Sequence, residues 1–203
     1  MSANFNRFVL SLMTACAMAA IAMFMVSKAY AAGPQLVADA FTATTANVTP
    51  AGVGLRIQVI EWQEADARAE AVATLAAGAE AATPLGKLPT VGYVWPNGSP
   101  VGYSVKYAHR ATQPDGGERI TLVTDKRLGS YDFKGWSVAS PAASSDAPYS
   151  VILLELNGSG TGTGTFSLVG DVALDEEAGT VTLNAGAGTP SLLTNVKRDG
   201  TKP

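Results

Sequence analysis

The sequence predicts an α+β domain: a mostly antiparallel, meandering sheet of about eight strands, sandwich- or barrel-like, with one Ala-rich helical insertion at about 64–88. Three observations predict it. Short runs alternate apolar and polar residues, which is the period of a half-buried strand. Gly and Pro number 21 and 11 and all lie after residue 31, well above their usual combined share of about 12%. Asp-Gly, Asn-Gly and Pro-rich turn chemistry joins the runs at hairpin distances.

In chain order, Ala38 to Thr45 is a weak strand anchored by Phe41. Leu55-Arg56-Ile57-Gln58-Val59 alternates cleanly, and Ile60 and Trp62 make its far end apolar on both faces. From Glu64 to Ala82 the composition turns to EADARAEAVATLAAGAEAA; alanine is the best helix former, and Val72, Leu75 and Ala76 form an apolar stripe at i, i+3, i+4. Acidic Glu64, Asp66 and Glu70 sit near the helix start, where the dipole favours negative charge. Gly78 ends or bends the helix, and Pro84 and Pro89 bracket a second helical turn at most.

Strands resume at Val91–Trp95 and Val101–Arg110. Asp115-Gly116 predicts a two-residue type I′ hairpin that sets Lys106 opposite Asp125, Tyr107 opposite Thr124 and His109 opposite Leu122. That register buries Tyr103, Val105, Tyr107, Ile120 and Leu122 on one face. Residues 126–148 form a long irregular loop, of the kind that is functional or disordered. Tyr149–Leu156 is a central strand, Thr163–Val169 returns, Val172–Leu174 and Thr180–Leu183 flank an acidic turn, and Ser191–Lys197 closes the chain.

The first 31 residues read as an address. A short positive start with Arg7 precedes 19 uncharged residues, Phe8–Val26, and a small-residue site at Ala29-Tyr30-Ala31. That is a secretory signal peptide with cleavage after Ala31, leaving 32–203 as a single β-rich domain. The rival is an uncleaved anchor, since the run just spans a bilayer core of about 30 Å. A lipobox ending at Cys16 conflicts with the ten apolar residues that follow it. Cleavage removes Cys16, the lone cysteine, and leaves 12 basic against 17 acidic residues. A thiol-free, mildly acidic exported chain fits a bacterial periplasm or exterior better than a small disulfide-stapled secreted domain. The charge balance excludes a phosphate-reading nucleic-acid binder, and membrane contact is expected only through the N-terminal segment.

Candidate sites are few. His109 is the lone histidine, and no Gly-x-Ser-x-Gly elbow supplies it with a nucleophile; it reads as a packed strand residue. The run Gly158-Ser159-Gly160-Thr161-Gly162-Thr163-Gly164 lacks the lysine and the following helix of a phosphate loop and reads as a hairpin tip. Asp171, Asp175, Glu176 and Glu177 do not match the EF-hand spacing. No catalytic residue, metal site or cofactor follows from the sequence. The aromatic residues Trp95, Tyr131, Phe133 and Trp136 are the candidate binding set for a ligand cleft or partner surface.

Ala40-Phe41-Thr42-Ala43, Leu55-Arg56-Ile57 through Trp62, the Ala-rich helix, Val91-Gly92-Tyr93, Pro114-Asp115-Gly116-Gly117 with Arg119-Ile120 and Thr124-Asp125, and Leu193-Thr194-Asn195-Val196 together resemble a family of small exported bacterial proteins without an assigned activity. The resemblance implies export and a single domain, and it carries over no catalytic residue. The expected function is therefore a non-enzymatic module that binds a small ligand or an envelope protein. The alternatives are a structural accessory of an envelope assembly and a hydrolase using carboxylates such as Glu61, Asp125 or Glu155.

Overall fold

Apolar residues at every second position give each strand one face to hide, and eight strands hide theirs by rolling the sheet into a closed barrel. The computed structural model describes residues 39–46, 52–129, 148–166, 172–183 and 191–200; residues 1–31, expected to be a signal peptide, Asp171, Tyr131, Phe133 and Trp136 lie outside them. The elements are β1 (Asp39–Thr45), β2 (Gly54–Val59), α1 (Ala65–Leu75), a 3-10 turn (Gly78–Ala81), α2 (Ala82–Lys87), β3 (Gly92–Pro96), β4 (Tyr103–Thr112), β5 (Glu118–Thr124), β6 (Val151–Leu156), β7 (Thr161–Phe166), β8 (Val172–Asp175), β9 (Thr180–Leu183) and β10 (Ser191–Asp199). Around the barrel the order is β1-β2-β3-β4-β5-β6-β7-β10, and β10 closes on β1; β8 and β9 form a separate two-stranded hairpin. Every pairing is antiparallel.

An eight-stranded barrel has an interior just wide enough for side chains to fill. Phe41, Ile57, Ile120, Leu122, Ile152 and Phe166 are fully buried there, with the inward residues of the other strands around them. The outward positions carry Arg56, Gln58, Arg119, Glu155, Thr163 and Lys197. The barrel interior is apolar, where a lipid-facing barrel carries a polar lumen.

On β7 the inward positions before Phe166 are Gly162 and Gly164. A Cβ on Gly162 would lie 1.8 Å from the Glu155 carbonyl oxygen, and one on Gly164 2.5 Å from that of Leu153. The glycine run is therefore a hairpin tip only as far as Gly160; from Thr161 it is a barrel strand whose missing side chains let β6 close in.

A second apolar cluster lies outside the barrel. Val72 and Leu75 of α1 and Leu85 of α2 pack with Tyr107, Val123, Val151 and Val181. The buried stripe of α1 is Ala71, Val72 and Leu75, while Ala76 is exposed. It ends there because the chain tightens into the 3-10 turn, with Gly78 at φ +59°. The second helix is longer than one turn. Pro84 lies in its first turn, where a missing N–H breaks no helical bond.

The β4–β5 hairpin differs from its sequence reading. Gln113 and Gly117 bracket a three-residue loop: Gly116 N–H donates to Gln113 O at 3.0 Å, Gln113 N–H donates to Gly117 O at 2.8 Å, and Gly116 has φ +80°. Asp115 is not at positive φ, which a type I′ turn requires. Instead its carboxylate accepts the Gly117 N–H at 2.9 Å. Pro114 favours this route, because its fixed φ suits the first central position of a type I turn. The extra loop residue slips the register by one, giving His109 opposite Thr121 and Ala108 opposite Leu122. A bulge between Val105 and Tyr107 then shifts it again. Tyr103 and Val105 stay inside the barrel, while Tyr107 turns outward to the second cluster.

Lys106, the bulged residue, does not face Asp125. Its Nζ donates to Leu88 O at 2.8 Å, Thr90 Oγ1 at 3.0 Å and Gly86 O at 3.3 Å, tying the segment after α2 to β4. The Asp125 carboxylate accepts the Ser104 N–H instead. Gly116 still needs its left-handed backbone, so Gly116→Val is expected to cost about 1–3 kcal/mol, read from thermal melts. An unchanged Tm would contradict the turn.

Candidate aromatic surface on the barrel wall

The alternation of β3 sends Val94 inward and leaves Tyr93 and Trp95 on the outer wall, half-buried. Their ring centroids are 5.1 Å apart at a tilt of 34°. Arg56 stands opposite Trp95 on β2, with its guanidinium carbon 5.0 Å from the indole centroid, a cation–π geometry. The indole rests on the β3–β4 turn, where a Cβ on Gly102 would lie 2.5 Å from Trp95 Nε1.

Of the four predicted binding residues, Trp95 is therefore placed, and Tyr131, Phe133 and Trp136 lie outside the described residues. The described chain after β5 reaches Gly129 at the Trp95 end. Tyr103 faces Val94, and its hydroxyl accepts the Gly129 N–H at 2.9 Å. Tyr93 and Arg56 were missed from sequence: period two puts Tyr93 beside Trp95 and could have found it, whereas Arg56 is brought opposite only by the β2–β3 register.

The opposite end of the barrel is closed by charge. Asp39, Arg110, Glu118 and Arg198 come from β1, β4, β5 and β10, each continuing the inward row of its strand. Trp62 Nε1 donates to Asp39 Oδ2 at 2.8 Å, Arg110 lies 3.5 Å and Arg198 3.7 Å from the same carboxylate, and Arg198 also pairs with Glu118. The Arg110 guanidinium covers Trp62 and that of Arg198 covers Phe41. Two cations meet two carboxylates over the end of the core. Each partly exposed pair contributes no more than about 1 kcal/mol, and the cluster shields the apolar interior from water.

Asp125 and Glu155, two of the three carboxylates named for hydrolysis, lie far apart. Glu155 lies outside β6 in an exposed ion pair with Arg119 at 3.0 Å. Arg119 faces Glu155, and Asp125 lies six residues further along β5, which at about 3.3 Å per residue separates them by about 20 Å. Glu61 is exposed beyond β2. Among the described residues no three His, Cys, Asp or Glu side chains gather as a metal site.

His109 and Tyr107 point outward beneath α1, ring edge to face at 6.4 Å. Burial and the nearby Arg68 cation hold the imidazole below its ordinary value. Burial pushes the Tyr107 phenol up to about 12, against smaller opposing pulls from Arg68 and the Val181 backbone. Its hydroxyl donates to Gly179 O at 3.0 Å. A shallow groove of about 540 Å³ also follows the outer wall near Glu118, Arg119, Glu155, Asn157, Thr161 and Thr163.

No family model, curated protein or solved structure matches the chain. The surface is accordingly read from its own chemistry. Two adjacent aromatic rings, tilted 34° to each other, and a guanidinium can grip a flat or apolar group while the arginine orients a polar one.

Proposed function

We propose that this protein is an exported bacterial envelope or secreted module that binds a small ligand or a protein partner, without catalysis, on the outer wall of its barrel around Trp95. The observation that carries this reading is the Tyr93–Trp95–Arg56 cluster, set on a barrel whose interior is a packed core. A ligand taken by this barrel is met outside, and the described chain after β5 reaches Gly129 at the same end. Aromatic and arginine side chains are the types that dominate binding surfaces. Closure leaves the barrel itself without a free edge for an accessory role by strand addition. A separation of about 20 Å between Asp125 and Glu155 is far from the roughly 5–10 Å of paired glycosidase carboxylates.

Export rests on residues 1–31, and the resemblance to small exported bacterial proteins agrees with it. The exported protein is expected to begin at Ala32, read by N-terminal sequencing. A photo-crosslinking phenylalanine analogue at position 95, introduced in the native host, tests the binding surface. We expect an adduct from position 95 that is absent from position 163 on the far wall. Trp95→Ala is expected to weaken the captured partner by about 2 kcal/mol, roughly thirtyfold, with folding retained. Equal adducts at both positions, or none from 95, would overturn the proposal.

A further inference from the structure

Helix α1 and the β8–β9 hairpin sit together as a cap on the outer face of β4–β6, and the contacts that hold them converge on one strand position. Gln63 is zipped to β4: its N–H donates to Ala108 O at 3.3 Å, its Nε2 to Lys106 O at 3.2 Å, and its Oε1 accepts the Ala108 N–H at 2.9 Å. Arg68, in the first turns of α1, donates from Nη1 to the Gln63 carbonyl at 2.9 Å. Its guanidinium is thus held beside Ala108 and His109. The hairpin turn reaches the same place, since Gly179 lies against the backbone of Ala65 and Ala69 and the Arg68 side chain, and its carbonyl accepts the Tyr107 hydroxyl.

Arg68 makes no ion pair among the described residues, and its Nε is buried without a hydrogen-bond partner. Around His109 stand Arg68 from α1, Tyr107 from its own strand and Thr121 opposite on β5, with the Arg119–Glu155 ion pair next along the same outer face. The carboxylates of the cap, Glu64, Asp66 and Glu70 on the helix side and Asp175, Glu176 and Glu177 on the hairpin turn, are exposed. A second positive charge at His109 would therefore meet an uncompensated first one in a half-buried site, where charge repulsion is poorly screened.

We propose that the cap is an acid-loosened element: a proton on His109, set beside the Arg68 guanidinium, raises the share of molecules in which α1 and the β8–β9 hairpin open away from the barrel while the barrel stays closed. Opening uncovers the apolar strip of Tyr107, Val123 and Val151, which the cap buries. The direction follows from linkage. The docked state holds His109 below its ordinary titration range and the open state restores it, so docking is strongest above about pH 6.5 and weakens as pH falls toward the docked value. The barrel is independent of this, because its closure rests on strand pairing and an interior that excludes both groups.

Hydrogen exchange of the purified protein at pH 7.5 and 5.5, corrected for the intrinsic rate, tests the proposal. Amides of 67–75 and 180–183 should exchange up to about tenfold faster at pH 5.5, the protonation ratio of an unperturbed imidazole there. Amides of β2, β5 and β6 should keep their protection. His109→Gln should remove the acid effect, and Arg68→Gln should reduce it, since burial of the imidazole, the larger cause, remains; if one variant does not fold, the other carries the test. Equal cap protection at both pH values in the wild type would overturn the proposal. So would an acid effect that survives His109→Gln, one left unchanged by Arg68→Gln, or a barrel that loses protection together with the cap.

Discussion

Gly162→Ala is expected to destabilise the protein by at least about 3 kcal/mol, at the upper end of overpacking costs. The added Cβ would stand 1.8 Å from the Glu155 carbonyl oxygen and 2.9 Å from its carbon. Both are backbone atoms, so no rotamer change relieves the contact. Either β6 and β7 separate, breaking the ladder from Ile152–Phe166 to Leu156–Gly162, or the barrel opens beside its charged end. Gly86→Ala is the control. It lies in α2 with open space where its Cβ would go, and helix propensity predicts a gain of up to about 1 kcal/mol. Urea denaturation of both variants reads the contrast. A Gly162→Ala protein as stable as wild type would mean that β7 does not approach β6 as described.

Tyr107→Ala is expected to cost about 3–5 kcal/mol, the range for deleting a large buried aromatic side chain. Tyr107 is completely buried yet lies outside the barrel, between α1 and the β8–β9 hairpin. Tyr107→Phe keeps the ring and loses the bond to Gly179, for about 1 kcal/mol. The ratio of the two losses is the informative quantity. Were Tyr107 inside the barrel, as plain alternation from Tyr103 and Val105 places it, the phenylalanine variant would lose no bond to the hairpin. Equal losses for Ala and Phe would contradict the packing of this ring.

The binding surface was half legible from sequence. Trp95 stands out as a large aromatic residue beside a turn, and its outward direction follows from the alternation Tyr93-Val94-Trp95. The cation–π partner Arg56 needs a strand register that no local pattern states. The charged end was missed for a related reason. Asp39, Arg110, Glu118 and Arg198 each read as an ordinary strand-end charge, and only closure of the barrel brings them together.

The sequence by itself determined where strands run, which faces are apolar, where the helical insertion lies and that the sheet meanders. These are local properties: period two, alanine content and turn residues act over a few positions, and strands joined by short turns pair with their neighbours. Tertiary structure decided the rest. Sandwich and barrel share one binary pattern, and closure is the pairing of β1 with β10, which sets Ala40 against Asp199. It depends on strand number and stagger around the whole sheet. The slip at Gly116 and the bulge at Lys106 each shift the ladder by one residue, and one residue exchanges inside for outside. Tyr107 therefore holds the cap instead of filling the barrel, because the bulge is fixed by three acceptors around Lys106 that lie 16 to 20 residues earlier in the chain.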